Sequence, residues 1–241
     1  MKAVILAGGK GTRGRPFTDY FPKAMIPING KPIVRYVVDY LSSFKSISQI
    51  VIVANITGTG GQIKHYFENT KRNIRFVQDS GSGTAGDLLH LSKILKNEPF
   101  VLWFVDNLGA INPDLMSEQF VKQKSLACIA TRQYRSEETG FAKVSEGRIT
   151  EFIEKPLLKM QNHECTGIYI LSGKILDIIR KSRSKKNLNL SYDVLQKLSK
   201  KGLVSSFDIG KTPWLDVESP SVIERKRAVV KSIIKQMSHN L

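Results

Sequence analysis

Apolar residues follow two rhythms along this chain. Residues 3–7, 49–54, 74–77 and 100–105 form short, nearly continuous apolar runs. Runs of that length suit strands of a parallel sheet, buried on both faces. Between the first two, residues 32–44 place Ile33, Val34, Val37, Val38 and Leu41 at helical spacing. Residues 60–69 and 84–96 also read as helices. Strand and helix thus alternate, which predicts a parallel sheet covered by helices. Beyond about residue 110 the style changes. Residues 127–131, 143–153 (turning at Glu146-Gly147), 167–171 and 203–209 read as strands, with helices at 174–180 and 191–200. Residues 221–237 predict a basic amphipathic helix carrying Val222, Ile223, Val229, Val230, Ile233 and Ile234. No internal repeat or low-complexity linker interrupts this, so the expectation is one α/β domain over 1–241, in two halves, 1–110 and 111–241.

Charge adds a partner class. Lys and Arg number 37 against 21 Asp and Glu, a formal charge of +16, which favours anions such as nucleotides, sugar phosphates or nucleic acid. Lysines crowd 181–186 and 200–201. No helix-turn-helix, zinc finger or RNP-type aromatic motif accompanies them, so nucleic acid is not the expected partner. Cys128 and Cys165 have no metal-ligand or disulfide spacing, and Cys165 is expected to be a small buried filler. His65, His90, His163 and His239 form no pair. No apolar run approaches the roughly 20 residues that span a bilayer. Met1 to Leu6 reads as a first strand rather than a signal peptide. The expectation is a cytoplasmic, reduced protein with no membrane partner.

The sharpest chemistry follows the first strand, in Leu6-Ala7-Gly8-Gly9-Lys10-Gly11-Thr12-Arg13-Gly14. Glycines there let backbone N–H groups approach an anion. Gly9, Gly11 and Gly14 also fit the dinucleotide fingerprint, which would make the chain an oxidoreductase. Pro16 and Asp19-Tyr20-Phe21-Pro22 do not open the crossover helix that this fingerprint needs, and Asn55 stands where its acidic residue belongs. The longer stretch, continuing through Arg15-Pro16-Phe17-Thr18 and Pro22-Lys23-Ala24-Met25-Ile26-Pro27-Ile28, resembles the signature of the sugar-1-phosphate nucleotidyltransferases. Molybdopterin nucleotidyltransferases share the Gly-Gly start but lack the Pro16-x-Thr18 and Pro22-Lys23 pattern.

The resemblance implies a Rossmann-like three-layer sandwich with a mixed, mostly parallel sheet, the nucleotide-diphospho-sugar transferase fold. The first half would bind a nucleoside triphosphate and the second a sugar 1-phosphate. Leu6, Ala7, Gly8, Gly9, Gly11 and Thr12 would cradle the nucleotide. Arg13 would grip the β- and γ-phosphates with its guanidinium fork, and Lys23 would place a point charge near the α-phosphate. Phe76-Val77-Gln78-Asp79-Ser80-Gly81-Ser82-Gly83-Thr84 resembles the base-reading segment. The amide of Gln78, one donor and one acceptor, matches uracil or thymine, with Gly83 and Thr84 beside it. Asp79 could instead serve guanine, which presents two donors. UTP or dTTP is thus the expected donor and glucose 1-phosphate the default acceptor. The alternative is guanylyl transfer to mannose 1-phosphate.

Two aspartates sit where the family holds Mg²⁺. Asp106 ends the most apolar strand, at the sheet edge where open α/β sheets bind ligands. Asp216 lies in Trp214-Leu215-Asp216-Val217-Glu218-Ser219-Pro220, which resembles the family's Trp-x-Asp motif. Glu154-Lys155-Pro156 resembles the element whose lysine holds the sugar phosphate and whose glutamate holds sugar hydroxyls. Gly140 and Thr166 fall in further sugar-contacting elements. The chain departs from the pattern at Gly14, usually leucine, and at Val105 and Glu218, usually glycine. Those departures motivate a second hypothesis, a non-catalytic regulatory subunit that binds nucleotide sugars. The chain ends before the left-handed β-helix of some relatives, and its apolar last helix could pair subunits in a homo-oligomer.

Overall fold

The computed structural model describes residues 1–9, 11–182 and 187–239. Lys10 of the glycine loop and residues 183–186 of the lysine cluster lie outside the described residues.

Four parallel strands organise the first half: β1 (Lys2–Leu6), β4 (Gln49–Ala54), β5 (Ile74–Gln78) and β6 (Phe100–Phe104). β1 lies between β4 and β6, and β4 pairs with β5. Two small strands, β2 (Pro27–Ile28) and β3 (Lys31–Pro32), make a turn after the glycine loop. The second half adds β8 (Ala127–Ser136), β11 (Leu157–Leu171) and β12 (Val204–Asp208). β11 runs antiparallel to both β6 and β8, and β12 runs parallel to β8. The result is one seven-stranded mixed sheet ordered β12-β8-β11-β6-β1-β4-β5. The two halves therefore share one continuous sheet, joined along β6 and β11.

Side chains alternate across a strand, and β1 shows it. Ala3 and Ile5 enter one apolar layer with Val37, Trp103 and Ile233, while Val4 and Leu6 enter the other with Leu88, Leu102 and Ile179. The first layer is closed by α2 (Ile33–Ser42), α6 (Pro113–Lys122) and α10 (Arg227–Ser238). The second is closed by α4 (Gly83–His90), α5 (Ser92–Leu95) and α7 (Ile175–Lys181). Each fully buried large apolar side chain contributes about 1.5–3 kcal/mol. The three-layer expectation therefore holds.

Several boundaries differ from expectation. The last helix is two, α9 (Pro220–Arg225) and α10, broken at Lys226. The helix expected over 84–96 divides at Leu91 into α4 and α5. Residues 191–200 open as a wide turn over Leu190–Leu195 before α8 (Gln196–Ser199). Helix α6 has no counterpart in the periodicity reading, because only Met116 and Phe120 of its middle face the core. Its start is nonetheless written in Asn112-Pro113: the Asn112 side chain accepts from the backbone N–H groups of Asp114 and Leu115 at 2.8 and 3.2 Å, and proline suits the first helical position. Residues 143–153 form a hairpin, β9 (Phe141–Ser145) with β10 (Arg148–Ile153), outside the main sheet. Cys128 is buried, but Cys165 is exposed on β11 rather than filling the core.

Candidate active site

Strand ends build the site. β1 stops at Leu6, and Gly8 and Gly9 carry the chain over the sheet edge. Gly11, at a φ of +60°, opens a single helical turn over Thr12–Gly14. Thr18 closes that turn, donating its hydroxyl to Gly11 O at 2.7 Å. Gly14 explains itself here, because a Cβ on it would stand 2.7 Å from Thr18 Cγ2. The leucine of the family pattern has no room. Lys23 follows on a second short turn (Lys23–Met25).

β6 ends at Phe104, and Val105 is buried with its N–H on Leu6 O. The next residue, Asp106, is partly buried at the sheet edge. The short strand β7 (Asn107–Gly109) pairs antiparallel with β13 (Trp214–Asp216), setting Asp216 opposite Asn107. Val217 N–H donates to Asp106 O at 2.8 Å. This ladder brings together two aspartates far apart in sequence. Lys23 Nζ lies 2.7 Å from Asp106 Oδ2 and 3.8 Å from Asp216 Oδ1. Asn107 Nδ2 donates to Asp106 Oδ1 at 2.9 Å. Asp216 Oδ1 is buried and makes no hydrogen bond. Burial pushes the Asp216 carboxyl above its ordinary range and the neighbouring Asp106 charge adds to this, while Lys23 and Arg13 pull the other way.

Two clefts meet at this cluster. One of about 530 Å³ is lined by Leu6, Ala7, Gly8, Gly9, Lys23, Gly83, Thr84 and Asp106, with Asp79 and Asp87 at its wall. The other, of about 690 Å³, is lined by Asp216 with Glu138, Thr139, Arg132, Glu164 and Trp214. Asp106 borders the first and Asp216 the second, so Lys23 stands near the border of both.

Other expected site residues are placed differently. Arg13 lies outside both clefts and pairs with Glu218, one of the three departures from the family pattern. Gly11 and Thr12 share its turn and line neither cleft. Gln78 also lines neither: its amide donates to Asn55 Oδ1 and accepts from Thr57 N–H, each at 3.1 Å. The neighbouring residue that does line the first cleft is Asp79, and the amide behind the pyrimidine expectation is engaged elsewhere. Asp79 is itself pushed above its ordinary range, first by burial and then by the nearby Asp87 charge, with the Gly81 N–H opposing. Thr166 is fully buried and donates its hydroxyl to Ala130 O at 3.0 Å, so its side chain ties β11 to β8. Gly140 is exposed but crowded on its Cβ side: a Cβ there would meet the Phe152 ring at 2.3 Å and Glu154 Oε2 at 2.9 Å. Glu154 thus folds over Gly140, and Lys155, at a φ of +50°, stands outside the cleft and acts on Glu138.

The second cleft also holds residues that sequence reading missed. Arg132 donates through Nε to Glu164 Oε2 at 2.7 Å, and its guanidinium lies 4.5 Å from the centre of the Trp214 ring. Nothing local signals this trio, because Arg132 and Glu164 meet only through the pairing of β8 with β11. Asn107, which steadies Asp106, was legible only as its neighbour.

A family model described as nucleotidyl transferase matches residues 2–230. The chain belongs to this nucleotidyl transferase family. Among curated relatives, the mannose-1-phosphate guanyltransferase of Yarrowia lipolytica is 30% identical, over 91% of this chain and 61% of that protein. The UTP–glucose-1-phosphate uridylyltransferase of a Synechocystis strain is 31% identical, over 88% of this chain and 61% of that protein. The chain thus spans about three-fifths of the length of both relatives. The solved inositol-1-phosphate CTP transferase of T. maritima superposes with a TM-score of 0.73 at 22% identity, covering 98% of this chain and 95% of that one. That likeness shows the fold. For this nucleotidyl transferase, no described helix is long and apolar enough to cross a membrane.

Proposed function

We propose that the protein transfers a nucleotidyl group from a nucleoside triphosphate to a sugar 1-phosphate and releases pyrophosphate. The observation that carries this reading is the Lys23–Asp106–Asp216 cluster at the border of two clefts. Each cleft has room for one substrate, and the reacting atoms would meet beside the cluster. An oxygen of the sugar phosphate attacks the α-phosphorus in line. A new P–O bond forms, the bond between the α-phosphorus and its bridging oxygen breaks, and pyrophosphate carries the electron pair away. The attacking oxygen is already ionised at neutral pH, so no general base is required.

The donor set fits Mg²⁺. Among the described residues no group of three or more His, Cys, Asp or Glu could enclose a metal. Magnesium needs fewer protein ligands, since one or two carboxylates suffice alongside phosphate oxygens and water. The buried Asp216 Oδ1, without a hydrogen bond, is the kind of acceptor such an ion would satisfy. Asp106 and Asp216 would hold it, and when bound it supplies charge neutralisation at the transferred phosphoryl group. Lys23 brings positive charge to the same point and stabilises negative charge that develops there. Arg13 reaches the phosphates only by leaving Glu218. Lys155 reaches the sugar phosphate only if the β9–β10 hairpin swings over the cleft.

The test is pyrophosphate release by purified protein with Mg²⁺, each common triphosphate, and glucose or mannose 1-phosphate. Release that is lost on Asp106→Asn supports the reading. Triphosphate binding without release for any acceptor would favour the non-catalytic subunit instead.

A further inference from the structure

We infer that Asp79 selects the base and that the base is guanine; this rests on the nucleotidyl-transfer reading above. Among the described residues that line the nucleotide cleft, Lys23 is the one cation. Lys23 marks the phosphate end, beside Asp106. Asp79, Gly81 and Gly83 line the same cleft. Asp106 has Lys23 against it and Asp79 has no described cation, so the phosphates go to Lys23 and the base is left to Asp79.

Asp79 is placed to read that base. Its backbone N–H is fixed on Ala54 O at 2.9 Å, at the end of β5. Its Oδ2 stands over the glycine loop, 2.6 Å from where a Cβ on Gly8 would lie, so only glycine leaves the carboxylate this position. Among the described residues no cation pairs with it; the partner it does have is the Gly81 N–H. The neighbouring acid is the more committed of the two, because Asp87 Oδ1 accepts from both the Ser80 N–H and hydroxyl at 2.7 Å. Gln78 is held by Asn55 and Thr57.

A carboxylate is an acceptor only. Guanine offers it two adjacent donors, N1–H and the N2 amino group. Uracil and thymine offer one N–H flanked by two carbonyls, which a carboxylate repels. Cytosine and adenine each set one donor beside an acceptor. A site built to pair with two donors rejects bases that lack them, because its own polar group is then left unsatisfied.

Calorimetric binding of GTP, UTP, dTTP, CTP, ATP, ITP and XTP, with Mg²⁺ and no sugar phosphate, tests this directly. We expect GTP to bind about tenfold or more tighter than UTP or dTTP. ITP, which lacks only the N2 amino group, should fall by a similar factor. Asp79→Asn should weaken GTP and strengthen XTP, because the amide can donate to the extra carbonyl of xanthine. Asp79→Ser, a second variant, should lose the guanine preference without gaining xanthine. Tighter UTP or dTTP than GTP, or an unchanged GTP-to-XTP ratio in Asp79→Asn, would overturn the assignment. GTP preference with no pyrophosphate release from any sugar phosphate would sink the transferase reading and leave this one standing. Failure to bind any triphosphate sinks both.

Discussion

Ionising Asp216 works against folding, and the direction can be followed through pH. In the unfolded chain its carboxyl titrates near the ordinary value of 3.8, and in the folded protein above it. Between the two, the folded state holds a proton that the unfolded state has lost. Unfolding free energy therefore falls as pH rises through that window, and the full cost persists above it. Asp216→Asn should raise the melting temperature of the metal-free protein at pH 7, with the gain shrinking toward pH 3. The same variant should lose at least about 100-fold in turnover, the scale of removing a main electrostatic group. It should also lose the upward shift in melting temperature that Mg²⁺ gives the wild type. A variant that melts lower at pH 7 yet keeps the Mg²⁺ shift would remove Asp216 from the metal site. Arg13 and Glu218 differ from this case because both are exposed, at 64% and 41%. Such a pair adds little stability, but Glu218 occupies the cation that phosphates would use. Glu218→Gly should lower KM for the triphosphate several-fold while thermal stability stays within about 0.5 kcal/mol. An unchanged KM would show that the pair does not compete with substrate.

At the scale of elements, the β7–β13 ladder is what makes two aspartates one site, and Gly167 on β11 is its hidden support. Gly167 has a φ of +75°, and a Cβ there would lie 2.6 Å from Asn107 Nδ2. That amide steadies Asp106. Gly167→Ala should cost about 1 kcal/mol or more from backbone strain. It should also displace Asn107, weakening Mg²⁺ affinity about tenfold; isothermal titration with the metal and a non-hydrolysable triphosphate measures this. Unchanged affinity would leave Gly167 a purely conformational requirement. The β9–β10 hairpin poses a related question. Phe141, Val144, Ile149, Phe152 and Ile153 on it are all at least 42% exposed, while Lys155 just beyond it stands outside the cleft. If the hairpin closes over the acceptor, its amide hydrogen exchange should slow when sugar 1-phosphate binds. Exchange that ignores the ligand would leave Lys155 without a role in holding it.

Across the whole molecule, legibility follows distance along the chain. The parallel strands were plain because each is one continuous apolar run, buried between two helical layers. Gly8, Gly9, Lys23 and Asp106 were legible as parts of local motifs, and the structure gathers them in one cleft. The Arg132–Glu164–Trp214 trio and the Arg13–Glu218 pair were not, since each is made by strand pairing or chain return across many residues. The choice between Gln78 and Asp79 was not legible either: at a strand end, one residue decides which side chain turns into the cleft, and here Asp79 lines it while the Gln78 amide bonds to Asn55 and Thr57.

Charge also acts at this largest scale, and there it opposes the site. The molecule carries +16, whereas the nucleotide cleft sets Lys23 against Asp79, Asp87 and Asp106. On the proposed reading, the overall field would draw a triphosphate in, and the local carboxylates would repel it until a divalent cation intervened. Binding without Mg²⁺ should therefore be weak and fall steeply as ionic strength rises, because long-range attraction is screened within about 10 Å at 0.1 M salt. With Mg²⁺ the same affinity should rise and its salt dependence flatten, since contacts made inside the cleft are screened less. Titrations at several salt concentrations, with and without the metal, separate the two contributions. Equal salt slopes under both conditions would mean that the cluster of aspartates does not govern nucleotide entry, and that the general surface charge alone does.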